Sequence, residues 1–206
     1  MATLLDYIRK SPHRNWLERS LVRLLPGLNG NVLDIGSRNR RYDYLLKQKP
    51  VAIDIVEQVD RDVQKGDVTN LAFPEQSFDS VLCIEVLEYV DDPKRALAEI
   101  HRVLTPGGTL VLSVPFMFKV HEDRMRYTES YLRVLCGDFA RVICMPVGNA
   151  YIAMLTIVWG KIKAVRFAPV RYVYTLLMLP FLLIAYMRNS SVSTNYPTGY
   201  VIVCTK

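Results

Sequence analysis

The apolar residues of this chain fall into two kinds of pattern. Short apolar runs, most of them closed by a glycine, proline or acidic residue, are typical of buried strands in a parallel sheet. They predict strands at 32–35, 51–54, 81–84, 109–114, 140–147 and 200–205, and a further one ending near Asp67. Between them, apolar residues recur every three or four positions, which predicts helices at 15–25, 42–47, 92–104 and 128–135. The pattern predicts an α/β fold with a seven-stranded, mostly parallel sheet flanked by helices.

The first two predicted strands have informative ends. The first contains Asp34 and closes at Gly36, and the second closes on Asp54, 20 residues after Asp34. A glycine lets backbone amides approach a ligand, and a helix start after it offers unpaired N–H groups. A carboxylate at the end of the second strand accepts hydrogen bonds from ribose hydroxyls. This order is typical of a nucleoside-binding half of an α/β protein.

More motifs follow in a fixed order. Lys65-Gly66-Asp67-Val68 comes first, and the run 76–90 contains Phe78-Asp79 and Glu85-Val86-Leu87-Glu88-Tyr89. Asp92-Pro93 then opens a helix, and Thr105-Pro106-Gly107-Gly108 precedes the fifth strand. This order resembles the class I S-adenosylmethionine-dependent methyltransferases, in a small bacterial branch with the "EVLEHVxDP…RVLxPGG" pattern. The resemblance covers residues 30–147 and resumes at the last strand.

The resemblance implies a Rossmann-like fold, S-adenosylmethionine as cofactor, S-adenosylhomocysteine as product and a set of cofactor-binding residues. Asp34, Gly36 and Ser37 are expected to line the methionine moiety, Asp54 and Ile55 to hold the ribose, Asp67 and Val68 to flank the adenine, and Ile84 and Glu85 to lie beside the sulfonium.

The chain departs from the family pattern in two places. Arg38 stands where the glycine-rich loop usually has its second glycine, and a further glycine of the common form would fall at Arg40. Arg38 either narrows the approach to the methionine moiety or pairs its guanidinium with the carboxylate of the cofactor. Tyr89 replaces the histidine that usually faces the acceptor, so we include Tyr89 among the catalytic candidates.

The segment 115–128 is expected to face the acceptor because it follows the fifth strand at the edge of the sheet where ligands bind. It resembles the substrate-facing "HExxxRYT" stretch of the family. His121 is the candidate general base because its pKa lies near neutral pH; alternatively it is a loop histidine that binds backbone. Tyr127 either orients the acceptor or packs. A methyl transfer depends mostly on positioning, so no full catalytic set is required.

Composition is consistent with one methyltransferase domain over residues 1–206. The four cysteines form no CxxC pair and no secretory signal is recognised, which predicts buried thiols and a cytoplasmic location. The three histidines show no ligand spacing with each other or with cysteine, so we expect no metal.

Charge is distributed unevenly. The net charge of +6 comes from the two ends of the chain, whereas residues 51–100 are acidic; residues 151–206 hold six basic side chains and no acidic one. A basic stripe interleaved with aromatic residues is missing, so nucleic acid is an unlikely partner. An anionic membrane surface fits the distribution better, as a peripheral contact on the inner face of the plasma membrane.

An insertion, residues 148–198, separates the last two predicted strands and has two apolar segments, 151–159 and 172–187. The basic residues between them are Lys161, Lys163, Arg166 and Arg171. As a helix, the second segment would span about 24 Å, which is less than the roughly 30 Å hydrocarbon layer. We therefore expect an interfacial helical hairpin within 151–188. The alternatives are a cap on the domain, an interface in a homodimer, and a simple membrane crossing.

Three functions remain open at this point. The first is a methyltransferase at the cytoplasmic face of a bacterial membrane, acting on a lipid or lipid-linked saccharide. The second is a catalytically degenerate binding or scaffold protein with the same fold, which Arg38 motivates. The third is a soluble small-molecule methyltransferase whose insertion is a lid or a dimer interface. The acceptor and the methylated atom are not identified by the sequence.

Overall fold

The fold is built on one seven-stranded sheet, as the sequence predicts. The computed structural model describes residues 10–117, 122–187 and 195–206. The strands are β1 (Val32–Ile35), β2 (Val51–Asp54), β3 (Gln64–Lys65), β4 (Phe78–Ile84), β5 (Leu104–Pro115), β6 (Arg141–Val147) and β7 (Gly199–Thr205). Their order across the sheet is β3-β2-β1-β4-β5-β7-β6.

The order in which the chain adds strands to the sheet reverses at β1. This strand pairs in parallel with β2 on one side and β4 on the other, and β4 pairs in parallel with β5. Near the start of β5, the Gly107 amide donates to the Lys206 carbonyl and the Lys206 amide donates to the Gly108 carbonyl, each at 3.0 Å, so β7 runs antiparallel to β5. The crevice at the carboxyl ends of β1 and β4 is the place where such sheets bind ligands.

The central strands are apolar because helices or loops cover both of their faces. Fully buried side chains from three strands form this core: Leu33, Val81, Leu82, Cys83, Leu110, Leu112 and Val114. Burying one large apolar side chain contributes about 1.5–3 kcal/mol, so these strands form a rigid base for their loops.

The described residues form five α-helices: α1 (Pro12–Leu24), α2 (Pro93–Val103), α3 (Glu129–Leu135), α4 (Ala150–Lys163) and α5 (Ala168–Met187). Two of these helices are capped by the residue at which the sequence predicts each of them to begin. The Asp92 carboxylate accepts from the Arg95 amide at 3.0 Å, and the Thr128 hydroxyl accepts from the Tyr131 amide at 3.3 Å. Each cap satisfies an amide that the first helical turn leaves unpaired.

The predicted helix at 42–47 is wrong. The chain forms only a 3₁₀ turn there, Asp43–Leu45, and Leu46 is already extended. Arg40 enters the segment with a left-handed backbone, and Pro50 disfavours helix in the residue before it, so the backbone at both ends of the segment favours conformations other than a helix. The third strand is also shorter than expected, since β3 has two residues and ends at Lys65.

The chain divides into two compact units. The unit that we call the sheet unit comprises residues 21–115, 122–145 and 201–206 and contains β1 to β5. The second, called the hairpin unit, comprises the described parts of 10–20, 116–117, 146–187 and 195–200 and contains α4 and α5. Within the described residues, neither these two helices nor any other has the length and apolar character needed to span a membrane.

Candidate functional site

A tight glycine turn follows β1. Gly36 has a φ of +73°, and the amides of Gly36 and Ser37 donate to the Ile53 carbonyl at 2.8 and 3.1 Å. A Cβ at position 36 would lie 2.2 Å from Cγ2 of Val86. Only glycine fits this position without displacing Val86, because a side chain would be strained by the positive φ as well. The turn therefore brings bare backbone to the carboxyl end of β1.

Asp34 is a buried carboxyl just before this turn. Its side chain accepts a short hydrogen bond from the Ser37 hydroxyl and is 3 % exposed. Burial raises the pKa of Asp34 to about 7, because removing the carboxylate from water disfavours its charged form. A buried acid of this kind gains stability from a cationic ligand group, and the ammonium of a methionine moiety is such a group. The residues at the turn thus fit the cofactor that the resemblance implies.

Two further predicted carboxylates stand at turns on the same side of the sheet unit. The Asp54 carboxylate at the end of β2 accepts from the Val56 amide at 3.0 Å. The Asp67 carboxylate accepts from both the amide and the hydroxyl of Thr69, each at 2.8 Å. Such Asx turns fix a carboxylate relative to its backbone. Of their neighbours, Ile55 is exposed and Val68 is buried.

The two arginines after the glycine turn differ in their surroundings. Arg38 is exposed, so its side chain is not packed into the turn, and its contact with a cofactor stays a prediction. Arg40 is largely buried, with its side chain 11 % exposed, and donates to the Asp43 carboxylate. It holds the loop in place and leaves the backbone at Gly36 accessible.

The end of β4 lies beside this turn. In register, Ile35 of β1 pairs with Cys83 of β4, and Val86 contacts the space above Gly36. Ile84 is buried, and Glu85 adopts a left-handed backbone with φ +58° while its amide donates to the Ser113 carbonyl at 3.0 Å. The predicted cofactor residues of β1 and β4 are therefore neighbours.

Glu88 is an ionisable residue that sequence reasoning did not assign. It is 1 % exposed, and its Oε2 atom has no hydrogen-bond partner among the residues that the structure describes. Burial, and next the nearby charge of Glu85, raise the pKa of Glu88 to about 8. Glu88 lies within the motif 85–89, but its burial arises from the tertiary structure and cannot be recognised in the motif itself.

The segment after the fifth strand is anchored on this same turn. The Glu88 carbonyl accepts from the amides of Arg124 and Met125 at 2.8 and 3.2 Å. Arg126 is ion-paired with the buried Asp123 carboxylate. The anchored part of the segment thus surrounds Glu88 with both signs of charge, although desolvation remains the larger influence on its pKa.

The three catalytic candidates have different positions. Tyr127 is completely buried and its hydroxyl donates to the Leu87 carbonyl at 3.0 Å, which favours the packing alternative. Tyr89 is 45 % exposed and follows Glu88; burial of its ring, and next the Glu88 charge, raise the pKa of its hydroxyl. His121 lies outside the described residues. The catalytic roles of all three stay predictions.

Comparison with known proteins identifies the domain. A family model described as a methyltransferase domain matches residues 33–112, which include the glycine turn and strands β1 to β4. Residues 33–112 therefore belong to a methyltransferase domain, and the fold is that of the class I S-adenosylmethionine-dependent methyltransferases. Solved structures agree with this methyltransferase fold. A Thermotoga maritima methyltransferase, described as a possible histamine N-methyltransferase, has a TM-score of 0.61 at 19 % identity and covers 95 % of this chain and 91 % of its own.

Two other structures align as well. A methyltransferase from Archaeoglobus fulgidus has a TM-score of 0.61 at 14 % identity, covering 98 % of this chain and 97 % of its own. A protein described as a cyclase reaches the same TM-score at 18 % identity, covering 94 % and 80 %. At these identities the likeness shows the methyltransferase fold, and the reaction must be argued from the site.

Curated relatives match this methyltransferase domain in part. Demethylmenaquinone methyltransferase of Renibacterium salmoninarum is 37 % identical over 100 residues, which are 48 % of this chain and 42 % of that protein. A sterol 24-C-methyltransferase of Gibberella zeae is 35 % identical over 81 residues, 39 % and 21 % of the two chains. The chain spans less than half the length of these curated relatives.

Proposed function

We propose that the protein transfers the methyl group of S-adenosylmethionine to an acceptor bound at the carboxyl ends of β1 and β4. The glycine turn carries this proposal, because the buried Asp34 and the bare backbone at Gly36 form a cradle that a side chain would close. When bound, the cofactor supplies an electrophilic methyl group on a sulfonium.

Each predicted cofactor residue has a task in this proposal. Asp34 pairs with the ammonium of the methionine moiety, which favours the charged form of a carboxyl whose pKa is otherwise about 7. Asp54, oriented by its bond to the Val56 amide, accepts from the ribose hydroxyls. Asp67 and Val68 flank the adenine. These groups hold the donor in place, and positioning supplies most of the acceleration in a methyl transfer.

We further propose that the acceptor is a lipid or a lipid-linked saccharide at the cytoplasmic face of a membrane. Two relatives, described as a demethylmenaquinone methyltransferase and a sterol 24-C-methyltransferase, support an apolar acceptor. The hairpin unit supports a membrane surface because it exposes large apolar side chains, among them Phe167, Leu176 and Leu177. Residues 151–206 carry six basic side chains and no acidic one, which suits an anionic surface.

The experiment is a transfer of labelled methyl from S-adenosylmethionine to fractions of a bacterial lysate. Purified protein is incubated with membranes or with the soluble metabolite pool, and the products are extracted with chloroform and methanol. We expect label in the organic phase of the membrane sample, and its loss in Asp54→Ala. Label confined to water-soluble products would instead support a soluble small-molecule methyltransferase. Cofactor binding without label in either fraction would support a degenerate binding protein.

A further inference from the structure

The hairpin unit contains a cavity that the methyl-transfer site does not use. It lies between α4 and α5 and has a volume of about 470 Å³. This volume falls within the range of about 300–1,000 Å³ that is usual for small-molecule sites. Its walls are almost entirely apolar, and Lys161 is the one charged residue among the described residues that line it. The walls include Leu155, Val158, Leu177, Met178 and Phe181.

The helices around the cavity also present apolar side chains outward. Ile157 on α4 is 58 % exposed, and Val173 and Leu176 on α5 are 55 % and 63 % exposed. Several exposed large apolar side chains on two packed helices are typical of an interaction site rather than of an ordinary protein surface. The cavity therefore opens among side chains that themselves favour an apolar environment.

Cations accompany this apolar surface at the end of α4 and the start of α5. Lys163 lies 5.2 Å from the centre of the Trp159 ring, and the Arg171 guanidinium lies 5.9 Å from that of Tyr172. Aromatic rings paired with basic side chains are typical of helices that lie at a lipid–water interface. Together with Lys161 at the cavity, they form a positive border on an apolar pocket.

A second copy of the chain does not suit this surface. In a twofold contact the same patch would meet itself, so the basic residues Lys161, Lys163 and Arg171 of one copy would face the basic patch of the other. No acidic residue follows Asp138 in the sequence, so the hairpin offers no carboxylate to pair with them. An anionic lipid supplies both the missing negative charge and a hydrocarbon chain.

We propose that the cavity between α4 and α5 binds one hydrocarbon chain of an anionic membrane lipid, with the lipid headgroup on Lys161. This inference rests on the proposed function at a membrane surface and deepens it, because it assigns a site at which the protein holds a single lipid. Binding of the hydrocarbon chain excludes water from the apolar walls of the cavity, and the ammonium of Lys161 retains the headgroup at the entrance.

The test uses the full chain and lysophosphatidylglycerol with one oleoyl chain, kept below its micelle concentration, in calorimetric titration at 0.15 M salt. We expect saturable binding of one molecule per chain. Val158→Trp fills the cavity from a half-exposed position and is expected to weaken binding at least tenfold. Ile157→Trp adds the same side chain on the same helix outside the cavity and is the matched control, expected to bind normally.

A charge comparison tests the headgroup contact. Lys161→Glu is expected to weaken binding several-fold more than Lys163→Glu, because of these two lysines only Lys161 lines the cavity. Leu177→Trp, from the exposed side of α5, replaces Val158→Trp if that variant does not fold. Retained binding of S-adenosylhomocysteine shows that each variant is folded.

Three results would overturn the inference. These are the absence of saturable binding, equal weakening by Val158→Trp and Ile157→Trp, and a dimer in solution that Val158→Trp dissociates. Failure of the two proposals can be told apart. If lipids are methylated but the cavity binds no hydrocarbon chain, the proposed lipid site is wrong and the proposed function stands. If the cavity binds the hydrocarbon chain but lipids receive no methyl group, the proposed acceptor is wrong and the proposed lipid site stands.

Discussion

Arg40 occupies a backbone conformation that the common family pattern assigns to a glycine. Its φ is +46°, and a left-handed residue with a side chain costs about 1–2 kcal/mol. Its guanidinium donates to the Asp62 carbonyl at 2.7 Å and to the Pro50 carbonyl at 3.0 Å, besides its ion pair with Asp43. Hydrogen bonds from a charged group contribute about 1.5–3 kcal/mol each, so they offset the backbone cost.

The sequence revealed the departure at Arg40 but not its compensation. Two of the three acceptors are backbone carbonyls, and no residue type signals that a carbonyl is available at a given place. The same limit applies to Glu88, since burial arises from segments distant in the chain. Asp34, Gly36 and Asp54 were predictable because their roles follow from strand ends and spacing.

Glu88 leads to a prediction about pH. Its pKa is about 8 in the folded chain and near 4.5 when unfolded, so the unfolded state releases the proton first as pH rises. The stability that this group contributes is therefore present below pH 4.5 and is lost as pH rises through 8. Glu88→Gln removes this loss of folding stability, which amounts to at most about 5 kcal/mol between pH 4.5 and pH 8.

Urea denaturation from pH 5 to pH 9 measures the effect. We expect the free energy of unfolding of Glu88→Gln to exceed that of the wild type by an amount that grows with pH. The exposed Glu57→Gln is the control and should follow the wild type at every pH. Parallel curves for Glu88→Gln and the wild type would show that Glu88 is not buried as an acid.

The helices of the hairpin unit illustrate what a sequence shows at the scale of an element. The two apolar segments located α4 and α5, but α5 begins at Ala168, before the predicted segment at 172–187. Arg171 is tolerated inside the helix because one long basic side chain can lie along a helix surface. An apolar run in the sequence thus predicts the apolar part of a helix. The polar residues at the ends of the helix depend on capping.

The start of α4 is set by a cap at Asn149. Its side-chain oxygen accepts from the amides of Tyr151 and Ile152 at 3.0 and 3.2 Å, and the residue is 2 % exposed. Asn149→Ala is expected to destabilise the helix by about 1–2 kcal/mol, because two amides lose their partner.

Hydrogen exchange of the α4 amides checks this cap. Protection should fall most in the first turn for Asn149→Ala, and Asn149→Ser should retain most of it because a hydroxyl also caps a helix. Equal protection in Asn149→Ala and the wild type would mean that packing alone sets the start of α4.

At the scale of the whole molecule, motif order predicted the sheet. Every strand except β3, which consists of Gln64 and Lys65, carried its own apolar run, and short connections restrict how consecutive strands pair. The connection 36–50 was mispredicted because Arg40 and Pro50 act on it through backbone geometry rather than through apolar periodicity. The proposed lipid-binding surface also needed the structure, since only the paired helices show which apolar side chains remain exposed.

The central claim is that the glycine turn binds S-adenosylmethionine, and calorimetric titration of the purified chain tests it most directly. We predict micromolar binding of both S-adenosylmethionine and S-adenosylhomocysteine, marked weakening in Asp54→Ala, and loss of binding in Gly36→Ala, whose Cβ would lie 2.2 Å from Val86. Absence of binding in a chain that circular dichroism shows to be folded would contradict the account.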